Sequence, residues 1–261
     1  MALNRLVKGL RSLHRINEIS HCISKSGAPF KEICAYLGFS KLKYPYEMSL
    51  KNGLSITLES WEDLTTAWVV FFGNEYNLNA RDKTVVDLGA NIGAFSLHVA
   101  HSLPNVKIYS VEPFPSTFAK LCENIQRNHL DSRIECLNVA SVGESQPVYM
   151  DENDGIPSHS RKTDAKAGLK IQGLSLKDIF NRFGLTHVNF LKVDIEGAEY
   201  ELFGKTPVAD MQCVDRIGLE YHGSGSREKL FDHLHKAGFK VSSHSKKGFS
   251  GLVEFIRKTT S

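Results

Sequence analysis

The chain has 261 residues, of which 41% are hydrophobic and 23% are charged, a composition typical of a globular protein. Its formal net charge of +3 is too small to indicate a nucleic-acid partner, and no apolar run approaches the roughly 18 residues that a membrane-spanning helix needs. Five cysteines without metal-ligand or redox spacing favour reduced thiols and a cytoplasmic location over a disulfide framework.

The N-terminal segment MALNRLVKGLRSLHRINEI combines an apolar stripe at helical spacing with basic side chains and has no acidic residue before Glu18. This pattern predicts a basic amphipathic helix. Such a helix could act as a transit peptide, lie on a membrane surface or dock on the rest of the protein. We expect docking, and membrane-surface contact stays open as a second interpretation.

Residues 1–80 predict a cap rather than an independent domain. Two or three short helices precede the segment YEMSLKNGLSITLE, which predicts a hairpin that turns at Asn52 and Gly53. The segment SWEDLTTAWVVFFGNEY then predicts a further helix.

From Thr84 onward, strand-like and helix-like segments alternate. Strands separated by helices pair in parallel through right-handed crossovers, whereas the last two strands, KVSSHS and GLVEFIRK, are joined by a Lys-Gly turn and should pair antiparallel. Residues 81–261 therefore predict an α/β fold with a doubly wound, Rossmann-like, seven-stranded, mostly parallel sheet and an antiparallel final strand. Residues 142–168 are polar and predict an insertion or a mobile loop.

The segment VVDLGANIGAF joins the first strand of this sheet to a helix through Gly89 and Gly93. Glycines in such a turn let the backbone approach a ligand and direct helix N–H groups at it. Asp87 precedes the turn, and Glu112 ends the next strand, where an acidic residue accepts hydrogen bonds from ribose hydroxyls. These features suit two cofactor classes, dinucleotides and S-adenosylmethionine.

The residue between the two glycines separates these classes. A dinucleotide fingerprint requires a middle glycine where this chain has Asn91, and the carboxylate of Asp87 would lie close to the pyrophosphate. A positively charged sulfonium would instead be stabilised by that carboxylate. We therefore favour S-adenosylmethionine over a nicotinamide cofactor.

Three segments, VVDLGANIGAFSLHVA, VEPFPSTFAKLCENIQRN and LKVDIEGAEYEL, resemble the FkbM-type family of S-adenosylmethionine-dependent methyltransferases. The resemblance runs from about Tyr46 to about Arg257 and implies O-methylation of a hydroxyl group on a sugar or another small metabolite. It also implies a cofactor site that consists of Asp87, Gly89, Asn91, Gly93, Glu112, Phe114, Asn138, Ala140 and Asp194, with residues 138–141 along the adenine edge.

The fourth strand of the sheet, within VNFLKVDIEGAEYELF, ends in charged residues. Ligands of open α/β sheets bind beyond the carboxyl ends of the strands, where the strand order reverses, so Asp194 is expected next to the transferring methyl group. Lys192 shares its strand face, and the next strand brings Glu220 and His222 to the same edge. We predict these four as catalytic residues, with His222 as the general base. A purely structural role, a buried ion pair of Lys192 with Asp194, stays open.

The same edge permits other chemistry. Asp194, Glu220 and His222 could hold a divalent cation, which the sequence allows without predicting it. Two alternative functions remain: an RNA ribose or cap methyltransferase, and a non-catalytic Rossmann-like protein that binds a membrane or partner through the basic helix. The fourth strand continues as DIEG rather than as an (Asp/Asn/Ser)-Pro-Pro-aromatic motif, which disfavours methylation of base amines. We expect a small-molecule acceptor rather than nucleic acid, and the oligomeric state is not indicated.

Overall fold

The computed structural model describes residues 15–73, 75–150, 168–223, 225–247 and 250–258. Most of the predicted basic N-terminal helix, most of the predicted loop at 142–168 and the turn between the last two strands fall outside these ranges. None of the helices formed by the described residues is long and apolar enough to cross a membrane.

The cap consists of helices and one hairpin. Its elements are α1 (Ile16–Lys25), α2 (Pro29–Tyr36), β1 (Tyr46–Ser49), β2 (Ser55–Leu58) and α3 (Trp61–Trp68), which continues as a π-helical turn, Val69–Gly73. The predicted hairpin is confirmed, because β1 pairs antiparallel with β2. Helix α3 begins where the Ser60 hydroxyl accepts a hydrogen bond of 3.0 Å from the backbone N–H of Asp63, which is the usual N-cap geometry.

The rest of the chain alternates strands and helices. In chain order the elements are β3 (Thr84–Leu88), α4 (Ala94–Ser102), β4 (Lys107–Val111), α5 (Pro115–Arg127), β5 (Ile134–Leu137), β6 (Ala140–Ser141), β7 (Pro147–Met150), β8 (Leu169–Leu174), α6 (Leu176–Arg182), β9 (Val188–Val193), α7 (Glu199–Lys205), a 3-10 turn (Val208–Met211), β10 (Val214–Tyr221), α8 (Arg227–Lys236), β11 (Phe239–Lys247) and β12 (Ser250–Arg257).

Seven of these strands form the central sheet in the order β11-β12-β10-β9-β3-β4-β5. Strand β3 pairs in parallel with both β4 and β9, whereas β12 pairs antiparallel with β10 and β11. The predicted seven-stranded, mostly parallel sheet with an antiparallel final strand is therefore confirmed. Strand order reverses between β3 and β9, and this places the ends of both strands side by side.

The predicted third strand, RIECLNVAS, is in fact two strands in two sheets. Strand β5 belongs to the central sheet, and the chain leaves that sheet at Asn138, whose side-chain amide donates to the backbone oxygens of Glu112 and Pro113 at 2.8 and 2.9 Å. Strand β6 then joins a second sheet in the order β6-β8-β7. The prediction of an insertion or loop over 142–168 was thus wrong for β7, whose alternating residues Val148 and Met150 are buried.

Two buried apolar clusters cover opposite faces of the central sheet. Val85 belongs to the first cluster and Val86 to the second, and successive residues of a strand point to opposite faces. The first cluster also contains cap residues, among them Met48, Leu58 and Trp68. The cap and one face of the sheet therefore share a single apolar core, which holds α3 over the carboxyl ends of the strands.

Candidate active site

The turn between β3 and α4 depends on glycine for a steric reason. Gly89 has a φ of +79°, and a Cβ atom at this position would lie 1.8 Å from the backbone oxygen of Asp194. Gly93 has a φ of +92°, and a Cβ atom there would lie 2.7 Å from Leu121. The turn between β3 and α4 thus packs directly against the end of β9, and any side chain at Gly89 would separate the two strand ends.

A buried ion pair between Asp87 and Lys192 contacts the backbone of this turn. Asp87 and Lys192 are paired residues of β3 and β9, and Lys192 Nζ lies 3.0 Å from Asp87 Oδ1 and 3.1 Å from the backbone oxygen of Gly89. Ser96 Oγ donates a hydrogen bond of 2.7 Å to the other oxygen of Asp87. Burial opposes the charge of Lys192, but Asp87 and Asp194 outweigh it and raise the pKa of Lys192 above its ordinary value. Lys192 is therefore a charged group that links the turn to the end of β9.

Two cavities meet at this point and share Gly89, Asn91, Asp194 and Glu196. The first cavity extends along the ends of β3 and β4 to the second sheet. The second cavity extends towards helix α3 of the cap and the end of β10. A molecule in one cavity would therefore touch a molecule in the other beside Asp194.

Glu112 provides the acidic group of the first cavity. It is 5% exposed, its Oε2 accepts a hydrogen bond of 2.9 Å from the N–H of Asn91, and its Oε1 accepts one of 3.1 Å from the N–H of Phe114. Burial raises the pKa of Glu112 to about 7, because it outweighs the two N–H bonds that favour the carboxylate. Glu112 thus has a fixed orientation at the point where β4 ends.

The rest of the first cavity is an apolar slot with two polar atoms that lack partners. Its apolar lining includes Pro113, Phe114, Ala140, Val142, Val148, Met150 and Ile195. Asn91 Oδ1 and Ser141 Oγ are buried and have no hydrogen-bond partner among the described residues. Buried polar atoms of this kind are uncommon in proteins, and here both belong to residues that line a cavity. A ligand with hydrogen-bonding groups would satisfy them.

Sequence patterns did not indicate Val148 or Met150, although both line the first cavity, whereas Ser141 lies within the predicted range 138–141 and also lines it. The only sequence pattern that indicates strand β7 is the short alternation of apolar residues in PVYM, which lies inside a region of polar composition. Conversely, Asp87, Gly93 and Asn138 are not among the residues that line either cavity within the described part of the chain. Asp87 instead bonds to Lys192, and Asn138 bonds to the backbone oxygens of Glu112 and Pro113, which are themselves lining residues.

The second cavity contains the predicted catalytic residues. Its walls come from α3 (Glu62, Asp63, Thr65 and Thr66), from Glu75 and Tyr76, from α4 (Ala94 and Phe95), and from Lys192, Asp194, Glu196, Glu220 and His222. Asp194, Glu220 and His222 each bring one donor atom into a group whose members all lie within 4.8 Å of one another. The structure thus brings together the residues that the sequence placed at this edge.

His222 is surrounded by carboxylates. Its Nδ1 lies 3.2 Å from Glu199 Oε1, and its Nε2 lies 3.6 Å from Glu220 Oε1 and 3.7 Å from Glu196 Oε2. Burial disfavours the imidazolium, but these acidic neighbours outweigh burial and raise the pKa of His222 to about 11. Burial raises the pKa of Glu196 to about 7 and raises that of Asp194 above its ordinary value. The imidazole is therefore protonated at neutral pH, whereas Asp194 and Glu196, whose pKa values are raised, are able to accept a proton.

Comparison with known proteins identifies the family. Residues 87–241 match the family model described as Methyltransferase FkbM domain. Methyltransferase sdnD of Sordaria araneosa is 26% identical over 191 residues, which cover 60% of this chain and 74% of sdnD. The 31-O-demethyl-FK506 methyltransferase FkbM of Streptomyces tacrolimicus is 24% identical over 198 residues, which cover 64% of this chain and 76% of that protein.

The fold comparison agrees with the family model. The crystal structure of Methyltransferase FkbM from Methylobacillus flagellatus KT superposes with a TM-score of 0.52 at 14% identity, over 95% of this chain and 60% of the other. The family model spans more than half of the chain and includes the β3–α4 turn, the charged end of β9 and all of β10. The resemblance inferred from the sequence is therefore confirmed, and the chain belongs to the FkbM family of methyltransferases.

Proposed function

We propose that the protein is an S-adenosylmethionine-dependent O-methyltransferase that acts on a hydroxyl group of a sugar or another small metabolite. The observation that carries this proposal is the pair of cavities that meet at Gly89 and Asp194. One cavity suits a nucleoside, and the other presents hydrogen-bond acceptors to a polar molecule. Methyl transfer requires a donor and an acceptor in this arrangement, in contact at one point.

The first cavity would hold the cofactor. The carboxylate of Glu112 would accept hydrogen bonds from the ribose hydroxyls, and the apolar slot next to Phe114 and Ala140 would hold the adenine. Ser141 Oγ and Asn91 Oδ1 would find the partners that they lack among the described residues. Gly89 leaves room for the amino-acid part of the cofactor, whereas Asp87 would act indirectly through its ion pair with Lys192.

The second cavity would hold the acceptor. Carboxylates and threonine hydroxyls from three parts of the chain line it, and such groups accept hydrogen bonds from several hydroxyls at once. This lining favours a polyhydroxylated molecule such as a sugar. One relative is named 31-O-demethyl-FK506 methyltransferase, a name that describes methylation of an oxygen atom. This supports O-methylation.

In the proposed reaction, the acceptor oxygen forms a bond to the methyl carbon while the carbon–sulfur bond breaks, and the sulfonium becomes a neutral thioether. The hydroxyl proton must leave to a nearby base. Since the pKa of His222 is raised to about 11, the imidazolium cannot take this proton directly at neutral pH. We propose that it passes to the carboxylates around His222, of which Asp194 and Glu196 border both cavities.

Calorimetric titration with S-adenosylmethionine, S-adenosylhomocysteine and NAD tests the cofactor assignment. We expect micromolar binding of the first two ligands and none of NAD. Glu112→Gln should weaken binding at least about tenfold, since hydrogen bonds to a charged group contribute about 1.5–3 kcal/mol. Glu135→Gln removes the same charge from an exposed position on β5 and should bind like the wild type.

A second assay identifies the acceptor class. It measures the transfer of a labelled methyl group from S-adenosylmethionine to sugars, to other hydroxylated metabolites and, for comparison, to RNA. Label found on a hydroxyl of a small molecule supports the proposal. Absence of binding by S-adenosylmethionine and S-adenosylhomocysteine, in protein shown to be folded, would refute it.

A further inference from the structure

We infer that Asp194, Glu220 and His222 bind one divalent cation at the acceptor end of the site. Binding of the ion follows from the geometry alone, whereas its contribution to catalysis rests on the proposed function. The ion would lie in the second cavity, next to its junction with the first.

The donor atoms of the three residues lie close enough together to share one ion. One donor atom from each of the three residues lies within 4.8 Å of the other two, and the three residues lie at the ends of neighbouring parallel strands, β9 and β10. His222 Nε2 is 3.6 Å from Glu220 Oε1, which is too long for a hydrogen bond. Two ligands that each lie about 2.1 Å from a shared ion are about 3–4 Å apart, so this spacing suits a common ion.

The ring of His222 has the orientation of a metal ligand. Its Nδ1 faces Glu199 Oε1 at 3.2 Å, and this oxygen also accepts hydrogen bonds from the N–H groups of Ile195 and Gly197. A histidine that binds a metal almost always donates its other ring N–H to a carboxylate, a backbone carbonyl or a water molecule. Here Glu199 takes this supporting position, and Nε2 faces Glu220 and Glu196. Binding of the ion would displace the proton that Nε2 carries in the ion-free site, because a metal-bound histidine is neutral.

The charge around His222 also favours a cation. Glu199 is fully buried, and its Oε2 atom has no hydrogen-bond partner among the described residues. Four carboxylates, those of Asp194, Glu196, Glu199 and Glu220, surround a single imidazole, and Lys192 lies 3.0 Å from Asp87 as well as 3.6 Å from Asp194. Burial of negative charge is costly unless a cation compensates it, and a divalent ion supplies the missing charge.

The donor set favours Mg²⁺ or Mn²⁺. Carboxylate oxygens with one imidazole suit these ions, and three protein ligands leave coordination positions for water and for the acceptor. An acceptor hydroxyl bound to the ion would lose its proton more readily. Glu196 is not one of the three ligands and could receive that proton before the oxygen attacks the methyl group.

Binding of Mn²⁺ to the purified protein tests the inference directly. Free Mn²⁺ is measured by electron paramagnetic resonance during titration of the wild type, Glu220→Gln and Glu228→Gln. We expect one Mn²⁺ per chain in the wild type, displaced by Mg²⁺, and binding at least about tenfold weaker in Glu220→Gln. Glu228 lies on α8 beside Arg227 with an exposed side chain, so Glu228→Gln should retain wild-type affinity.

The outcomes separate the ion from the proposed function because S-adenosylhomocysteine binding is measured in the same samples. Glu220 does not line the first cavity, so Glu220→Gln should still bind S-adenosylhomocysteine, which also shows that it is folded. Were that variant unfolded, His222→Gln would replace it with the same expectation. Mn²⁺ binding that is absent from the wild type, or equal in all variants, overturns the inference. If S-adenosylhomocysteine still binds in that case, the proposed function stands without an ion.

Discussion

Substitution of Lys192 by methionine is the sharpest test of how the site is supported. Lys192 Nζ bonds to Asp87 and to the backbone oxygen of Gly89, and the side chains of Lys192 and Asp87 are 5% and 0% exposed. Methionine has a similar length but carries no charge, so Lys192→Met would leave the carboxylate of Asp87 buried without a cation. Removal of one partner from a buried pair costs about 3–5 kcal/mol. We therefore expect the free energy of unfolding to fall by about 3–5 kcal/mol.

The paired variant Asp87→Asn, Lys192→Met separates the lost charge pair from lost packing. Replacement of both partners removes the uncompensated charge, so this double variant should be at least about 2 kcal/mol more stable than Lys192→Met alone. Lys177, whose side chain is 64% exposed, serves as the control, and Lys177→Met should stay within about 0.5 kcal/mol of the wild type.

Urea denaturation followed by circular dichroism measures all four proteins, with the m-value checked for constancy. If Lys192→Met lost less than about 1 kcal/mol, or if the double variant were less stable than the single one, the buried pair would not hold the strand ends together.

Three further predictions concern the first cavity. Gly89→Ala should abolish detectable S-adenosylhomocysteine binding in calorimetry, because the new Cβ atom would meet the backbone oxygen of Asp194 at 1.8 Å; near-normal affinity would contradict this packing. Affinity for S-adenosylhomocysteine should fall by up to about tenfold from pH 8 to pH 6, because burial raises the pKa of Glu112 to about 7 and its carboxylate accepts hydrogen bonds from ribose hydroxyls more strongly than the neutral acid does. In Glu112→Gln, the affinity for S-adenosylhomocysteine should no longer depend on pH between pH 6 and pH 8. If the pH dependence were unchanged in this variant, another group would be its cause. Ser141→Ala should weaken S-adenosylhomocysteine binding about fivefold while thermal stability stays the same or rises, since Ser141 Oγ has no partner among the described residues. Equal affinity would show that the hydroxyl does not reach the ligand.

Strand and helix order could be predicted from sequence because it depends on local patterns. The alternation of apolar strands and amphipathic helices after Thr84 leaves few topologies once crossovers are right-handed, and the directly joined β11 and β12 must pair antiparallel. The turn at Gly89 and the charged end of β9 were recognisable for the same reason. Each is a short segment whose residue types have few structural explanations.

The second sheet could not be predicted, because its signal is not local. Strands β7 and β8 are short, and β7 becomes buried only where Val148 and Met150 pack against Phe114 and Ala140. Those contacts join parts of the chain that are far apart in sequence. The polar composition around β7 therefore indicated a loop, although β7 forms a wall of the first cavity.

The charge states of the site were decided by tertiary structure alone. An isolated histidine at a strand end suggests a general base, but His222 lies against Glu199 and Glu220, which belong to two different elements. Likewise, Lys192 pairs primarily with Asp87 at 3.0 Å rather than with Asp194 at 3.6 Å, because β3 and β9 are neighbours in register. Which residues gather at the carboxyl edge of the sheet could be predicted from the chain's local patterns. The pKa of each group depends on burial and on charges a few ångströms away, and only the folded chain sets those distances.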